Sequence, residues 1–186
     1  MARRAALLAT ATRAFAERGY EASSVNDVAR DAGVSVGTLF KYFPDKAALL
    51  EAVLADIEKD FLAAMSDPAI HVGPHLARLR PMMRALFGLA TEREHFFWAL
   101  TSGTHALRGA RAATPGSTLR ASIAAFVRSG IQAGELRRVD PERIAAVGYG
   151  VVEAAMRQCF LVEHGKHRTA WIDLTADVLA RTVRPD

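Results

Sequence analysis

The stretch that decides the fold lies near the amino terminus, at residues 23–49, and reads SSVNDVARDAGVSVGTLFKYFPDKAAL. It predicts two short helices, 25–32 and 36–43, each preceded by a serine that can accept a hydrogen bond from the first helical turn. Gly33 stops the first helix and Pro44 ends the second, so only residues 33–35 separate them. Two short helices joined by a three-residue turn with a glycine are typical of a helix-turn-helix unit.

The second of these helices has two unlike faces. Leu39 and Phe43 lie within about 40° of each other on a helical wheel, so we expect them to face the core. The opposite face is small, polar and basic, and it consists of Gly37, Thr38 and Lys41, with Tyr42 and Phe40 at its borders.

This face suits the major groove of DNA. Glycine permits close approach of the backbone, threonine can contact a thymine methyl or a phosphate, and lysine reaches guanine or phosphate oxygens. The Ser24 hydroxyl and Lys46 would hold phosphates on either side. Each of these side chains also has a purely structural interpretation, as a capping, half-buried or solvated residue.

The rest of the chain is helical, with an apolar residue every three or four positions and no strand-like alternation. Further helices are predicted at 3–18, 45–65, 75–91, 92–105, 119–133, 140–163 and 168–183. Pro81 is expected to kink or split its helix, and residues 115–117 are expected to form a turn. We predict an all-α protein with three parts: a helix-turn-helix domain at 1–46, a connecting helix at 47–65 and a larger helical domain at 66–186.

Composition excludes several classes of protein. Hydrophobic residues make up 51% of the chain and charged residues 24%, as in ordinary globular proteins. The single cysteine, Cys159, excludes an intramolecular disulfide and a Cys-based zinc site. No signal peptide and no long uncharged apolar stretch is visible, so a cytoplasmic protein without membrane contact is expected.

Two histidine pairs, His71/His75 and His164/His167, lie in or beside loops and are expected to be solvated, so no metal or cofactor is predicted.

The run 23–49 closely resembles the DNA-binding segment of the TetR family of bacterial transcriptional regulators, and 14–20 (AFAERGY) resembles that family's first helix and exit turn. The resemblance implies a three-helix DNA-binding unit joined through a fourth helix to a ligand-binding and dimerisation domain. It further implies a homodimer that binds a pseudo-palindromic operator and releases it when a small molecule enters the larger domain. The residues at positions that usually touch DNA in such proteins are Ser24, Val36, Gly37, Thr38, Lys41, Tyr42 and Lys46. Phe40 departs from the family, which commonly has a tyrosine there.

The two final helices favour a contact between two copies of the chain. The helix after Pro141 carries one apolar stripe, formed by Ile144, Val147, Val151, Ala155, Cys159 and Val162, and the last helix adds Trp171, Leu174 and Val178. We predict a two-fold, four-helix dimer contact. The alternative is that both helices complete a monomeric core.

Large side chains of the bigger domain are candidates for an effector pocket, since such pockets are mostly apolar. They are Met83, Phe87, Trp98, Phe126, Tyr149 and Met156, which could equally belong to the core. The leading hypothesis is a transcriptional repressor released by a small, mainly apolar effector, with no catalytic residue. The alternatives are a small helical enzyme acting on an apolar compound and a helical interaction module.

Overall fold

A computed structural model describes residues 2–92 and 115–185, and this part of the chain is all-α, with no strand. The predicted fold class is confirmed. The helix predicted at 92–105 lies outside the described residues, apart from its first position. The helices are α1 (Ala2–Arg18), α2 (Val25–Asp31), α3 (Val36–Phe40), α4 (Lys46–Met65), α5 (His75–Glu92), α6 (Pro115–Gln132), α7 (Pro141–Arg157) and α8 (Arg168–Val183).

Local hydrogen bonds define the amino-terminal helices. The Ser24 and Ser35 hydroxyls accept from the N–H groups of Asp27 (3.0 Å) and Thr38 (3.1 Å), and Asp45 Oδ1 accepts from the N–H of Ala48 (2.7 Å). Gly33 has φ +66°, a left-handed conformation that suits glycine after a helix end. Each helix start is therefore fixed by a residue no more than three positions away.

Helix α3 is shorter than predicted and ends at Phe40. The N–H of Tyr42 bonds the carbonyl of Leu39 at 2.9 Å, which tightens the chain into a turn before Pro44. Proline disfavours the helical region for the residue before it, here Phe43, so the chain does not continue as a helix beyond this turn. Leu39 and Phe43 are nonetheless buried, at 0% and 2% exposure, as the wheel predicts.

One hydrophobic core continues from α1 into the larger part of the molecule. In the larger part, α5 packs on α4 and α8, α6 packs on α7, and α4 also meets α6. Helix α4 therefore contacts both the amino-terminal helices and the larger domain.

The structure contradicts one predicted element, the turn at 115–117, and refines two others. Helix α5 continues through Pro81 without splitting. Helix α6 begins at Pro115, where a turn was predicted, because proline fits the first position of a helix. Helix α7 gives way to a wider helical turn at Gln158–Val162, and the chain then bends through left-handed residues at His164, Gly165 and His167 before α8.

Candidate functional site

Helix α3 presents a face to solvent. Gly37, Lys41 and the rings of Phe40 (46% exposed) and Tyr42 (41% exposed) lie outward, while Val36 and Thr38 are half-buried. A Cβ added at Gly37 would meet only the Ser35 hydroxyl, at 4.0 Å, so the backbone here is open to a close partner. The Thr38 hydroxyl lies 2.9 Å from Ser35 Oγ, which fixes its position at the start of the helix.

Ser24 is exposed at the start of α2, but its hydroxyl is engaged. It donates to Asp27 Oδ2 at 2.6 Å, and this bond, with help from Arg30, holds the pKa of the Asp27 carboxyl below its usual value. Arg30 pairs with the same carboxylate at 2.7 Å. A phosphate contact from Ser24 therefore requires its hydroxyl to rotate away from Asp27.

Lys46, the first residue of α4, lies where the turn after α1 meets the start of α4. Its Nζ is 3.3 Å from the carbonyl of Glu21 and 4.2 Å from the centre of the Tyr20 ring. An ammonium group has three donors, and one is used here. The side chain is held in place with donors left for a phosphate.

A cavity of about 500 Å³ lies among α4, α5, α6 and α7. Of the predicted pocket residues, Met83 and Phe126 line it. Phe87 and Met156 do not; both are fully buried in the core because their side chains point between packed helices. Tyr149 is half-buried under Arg120, whose Cζ lies 5.5 Å from the ring centre, and does not line the cavity either. Trp98 lies outside the described residues.

The cavity also has polar lining residues that the sequence analysis missed. They are Ser66, His71, Arg78, Ser122 and Ser129. Nothing in their spacing marks them as a group, because they come from the end of α4, the turn that follows it, α5 and α6.

Next to the polar lining residue Ser129, His75 is buried and makes three polar contacts. The prediction that His75 is solvated was therefore wrong. It is 5% exposed, its backbone N–H donates to Glu135 Oε2 (2.6 Å), and its ring nitrogens lie 2.9 Å from Glu135 Oε2 and from Ser129 Oγ. The backbone N–H of His75, followed by its ring, lowers the pKa of the Glu135 carboxyl. The neighbouring Gly130 is tightly packed, since a Cβ there would lie 2.6 Å from Leu136 Cγ and 3.0 Å from His75 Cδ2.

Helix α7, the wider helical turn that follows it and α8 leave an apolar surface uncovered. Its large members are Val147, Leu161, Val162, Leu174 and Val178, which are 36–59% exposed. We call these five residues the apolar patch. Four residues of the predicted stripe do not belong to it: Ile144 and Val151 are half-buried, and Ala155 and Cys159 are buried within the chain's own core. Burial raises the pKa of the Cys159 thiol. The stripe thus divides between the monomer core and the surface.

Within the described residues, one helical run, Pro141–Val162, has the length and apolar composition of a membrane span, with mean hydropathy 1.2. A third of it is buried inside the molecule. Its uncovered side is the side that carries the apolar patch.

A helix-turn-helix unit with an exposed recognition face, attached to a helical domain with a cavity, defines a class of DNA-binding regulator. Residues 7–53 match the sequence model of the bacterial regulatory proteins of the tetR family. The chain is 28% identical to the HTH-type transcriptional regulator TtgR of Pseudomonas putida, over 95% of this chain and 90% of that protein.

Solved structures share the fold across nearly the whole chain. One is a TetR-family transcription regulator from Marinobacter aquaeolei VT8, with a TM-score of 0.77 and 23% identity over 99% of this chain and 96% of that one. Another is the regulator FadR from Bacillus subtilis in complex with stearoyl-CoA, with a TM-score of 0.80 and 18% identity over 95% and 97% of the two chains. Residues 7–53 thus carry the DNA-binding segment of the tetR family of bacterial regulatory proteins, and the comparisons together support a TetR-family transcriptional regulator.

Proposed function

We propose that the protein is a homodimeric repressor whose operator is released when a small, mainly apolar effector enters the cavity. The observation that carries this proposal is the course of α4. The helix begins at Lys46, directly after the recognition unit, and near its other end Phe61, Leu62 and Met65 line the cavity. A ligand that moves the end of α4 therefore moves the unit that touches DNA.

The three parts of the chain take separate roles in this proposal. Residues 1–46 bind DNA, 47–65 connect, and 66–186 hold the effector and the second copy. Gly37, Thr38 and Lys41 face the base edges with Val36 beside them, whereas Ser24, Tyr42 and Lys46 bind phosphates. This division rests on position and chemistry: the first group belongs to α3 and its C-cap, whereas Ser24 precedes α2, Tyr42 follows α3 and Lys46 begins α4.

The apolar patch supports the dimer. An uncovered row of valine and leucine side chains on two neighbouring helices is costly in water. A second copy, related by a two-fold axis, would cover it with the same residues. Gly150 leaves open space, with no atom within 4 Å of an added Cβ, so a partner helix can come close to α7 there.

The two recognition helices of such a dimer would enter successive major grooves about 34–36 Å apart. Effector binding would favour a dimer in which this separation no longer fits. The coupling between the two sites is expected to be about 1–3 kcal/mol, supplied by the difference in effector affinity between the two states. As a DNA-binding regulator the protein would work in the cytoplasm, at the nucleoid when bound.

The experiment begins with selection of bound fragments from a random DNA pool, followed by fluorescence anisotropy titrations of the selected operator. We expect a two-fold symmetric site, and a set of apolar compounds that includes one lowering its affinity about 5- to 150-fold. A protein that selects no sequence contradicts the DNA-binding role. A selected operator that no apolar compound affects contradicts the effector class.

A small helical enzyme remains a second candidate, and one arrangement favours it. Ser129 Oγ, the His75 ring and Glu135 Oε2 follow one another at 2.9 Å each, in the order of a hydrolase triad. Ser129 also donates to the carbonyl of Phe126 within α6, where the backbone N–H groups are engaged in the helix and cannot form an oxyanion hole. We expect the wild type to hydrolyse p-nitrophenyl esters no faster than Ser129→Ala does. A higher rate in the wild type would support the enzyme hypothesis.

A further inference from the structure

The cavity is not uniformly apolar, and four of its five polar side chains come from segments around the start of α5, whereas the fifth, Ser122, lies about two turns away from Ser129 on α6. Ser66 follows α4, His71 closes the turn Pro68–His71, Arg78 lies in the first turn of α5, and Ser129 lies in the last turn of α6. His71 Nε2 is 2.7 Å from the carbonyl of Met65, which joins the turn to the end of α4. These elements meet at the junction of α4 and α5.

The remaining lining is almost entirely hydrocarbon. Its larger members include Leu79, Met82, Leu86, Leu119, Ile123 and Val152. The cavity therefore has the two-part character of an amphiphile, with a polar end and a longer apolar body.

Charge distinguishes the polar end further. Arg78 is the one permanently charged side chain among the lining residues that the structure describes, and these include no aspartate or glutamate. Its Nε donates to the carbonyl of Gly73 at 2.6 Å, which orients the guanidinium and leaves its other donors for a partner.

Glu135, a carboxylate whose pKa Arg78 helps to lower, forms no ion pair with Arg78. The hydrogen bonds of Glu135 Oε2 come from the backbone N–H and the ring of His75, not from Arg78. In residues 2–92 and 115–185 no carboxylate forms an ion pair with Arg78. Guanidinium groups bind carboxylates and phosphates through two parallel hydrogen bonds.

We propose that the effector is an anionic amphiphile, with a carboxylate or phosphate head on Arg78 and a hydrocarbon body against the apolar wall. This inference rests on the proposed function, because it concerns the same cavity, and it gives the mainly apolar effector a charged end.

The test is calorimetric titration of the DNA-free protein with decanoate, decyl phosphate and decanol, below their micelle concentrations. We expect at least one of the two anions to bind about tenfold or more tightly than decanol, as a charge-assisted hydrogen bond would provide. The relative affinity of the two anions identifies the head group.

Variants assign this preference to Arg78. Arg78→Gln should lose the preference for the anions over decanol, whereas Arg78→Lys should keep most of it. Arg80→Gln is the matched control, because Arg80 lies on the same helix outside the cavity, paired with Asp173 at 2.9 Å. If Arg78→Gln fails to fold, the affinities of the anions and decanol for the wild type and for Arg78→Lys test whether the anion preference comes from Arg78.

The inference is overturned if decanol binds as well as both anions, if Arg78→Gln keeps the preference, or if none of the three compounds binds. Operator affinity measured on the same preparation separates this failure from that of the proposed function. If the wild type binds its operator but shows no preference for anions, only the proposed charged head group is rejected. If the wild type recognises no operator, the proposed regulator function is rejected.

Discussion

The helix-turn-helix unit and the cavity are built by different kinds of contact. In the unit, the bonds from Ser24, Ser35 and Asp45 that set each helix start span three residues. Beside the cavity, His75 contacts Ser129 and Glu135, which lie 54 and 60 positions away in the sequence. A site built from local bonds can be deduced from a short motif, whereas a site built from distant segments exists only once the helices have packed.

The largest expected effect comes from separating two copies of the chain, which would leave each unit folded but alone. Leu174→Asp places a charge in the apolar patch and should produce a monomer, because an aspartate would be buried against its own copy. Affinity for a two-fold operator should then fall by about 10²–10⁴-fold. Sedimentation equilibrium and anisotropy titrations measure both quantities.

Val72→Asp is the control for this substitution. Val72 is 74% exposed in the loop before α5, outside the apolar patch, so both the mass and the operator affinity should stay unchanged. A Leu174→Asp variant that remains dimeric would place the interface elsewhere.

Within the unit, base-facing and phosphate-facing residues should behave differently. Lys41→Ala should cost about 1–3 kcal/mol on the preferred operator and relax the sequence preference at one position. Lys46→Gln should weaken binding to all sequences alike and reduce the salt dependence by roughly one unit, because one phosphate contact is lost. Titrations against the operator and a scrambled duplex at several salt concentrations test both, and exchanged behaviour of the two variants would reverse the assignments.

A substitution at the junction where α5 packs against α6 tests how much the contacts between distant segments contribute to stability. Gly130→Ala should destabilise the protein by about 1–3 kcal/mol, since the new methyl group collides with buried Leu136 and with His75, which is fixed by its contacts. Gly88→Ala is the matched control: no atom lies within 4 Å of its added Cβ, so the helix should gain about 0.5–1 kcal/mol. Urea denaturation gives both values, and equal effects would mean that the junction adapts freely.

The smallest effect concerns pH. The folded-state pKa of Glu135 lies below its ordinary value of 4.5, so the stability from its contacts with His75 is present above that pH and is lost as the pH falls through the folded pKa. Glu135→Gln does not titrate. Its melting temperature should lie below that of the wild type at pH 7, and the two should converge below pH 4.5. A difference that persists unchanged into acid would show that the charge of Glu135 is not what stabilises the junction.

The sequence predicted the recognition unit well because each step was local. The serine caps, the stop at Gly33 and the burial of Leu39 and Phe43 follow from spacing within one or two turns. The early end of α3 was missed because a tight turn before Pro44 competes with continuation of the helix.

The effector site was predicted only in part. Of the six candidates, Met83 and Phe126 line the cavity, whereas Phe87 and Met156 belong to the core. An apolar residue on an amphipathic helix can face the core or a cavity, and the helical period is the same in both cases. Arg78 carried no signal because its neighbours at the cavity come from other segments.

The amino-acid sequence by itself determined the helices, the turn between α2 and α3, and the chemistry of the face that α3 turns outward, since short-range hydrogen bonds and the 3.6-residue period act within a few positions. Only the tertiary structure decided that Arg78 stands at one end of an apolar cavity, that His75 is buried on Glu135, and that the stripe of α7 divides between core and surface. These features depend on which helices pack together, and packing joins residues that the chain keeps far apart.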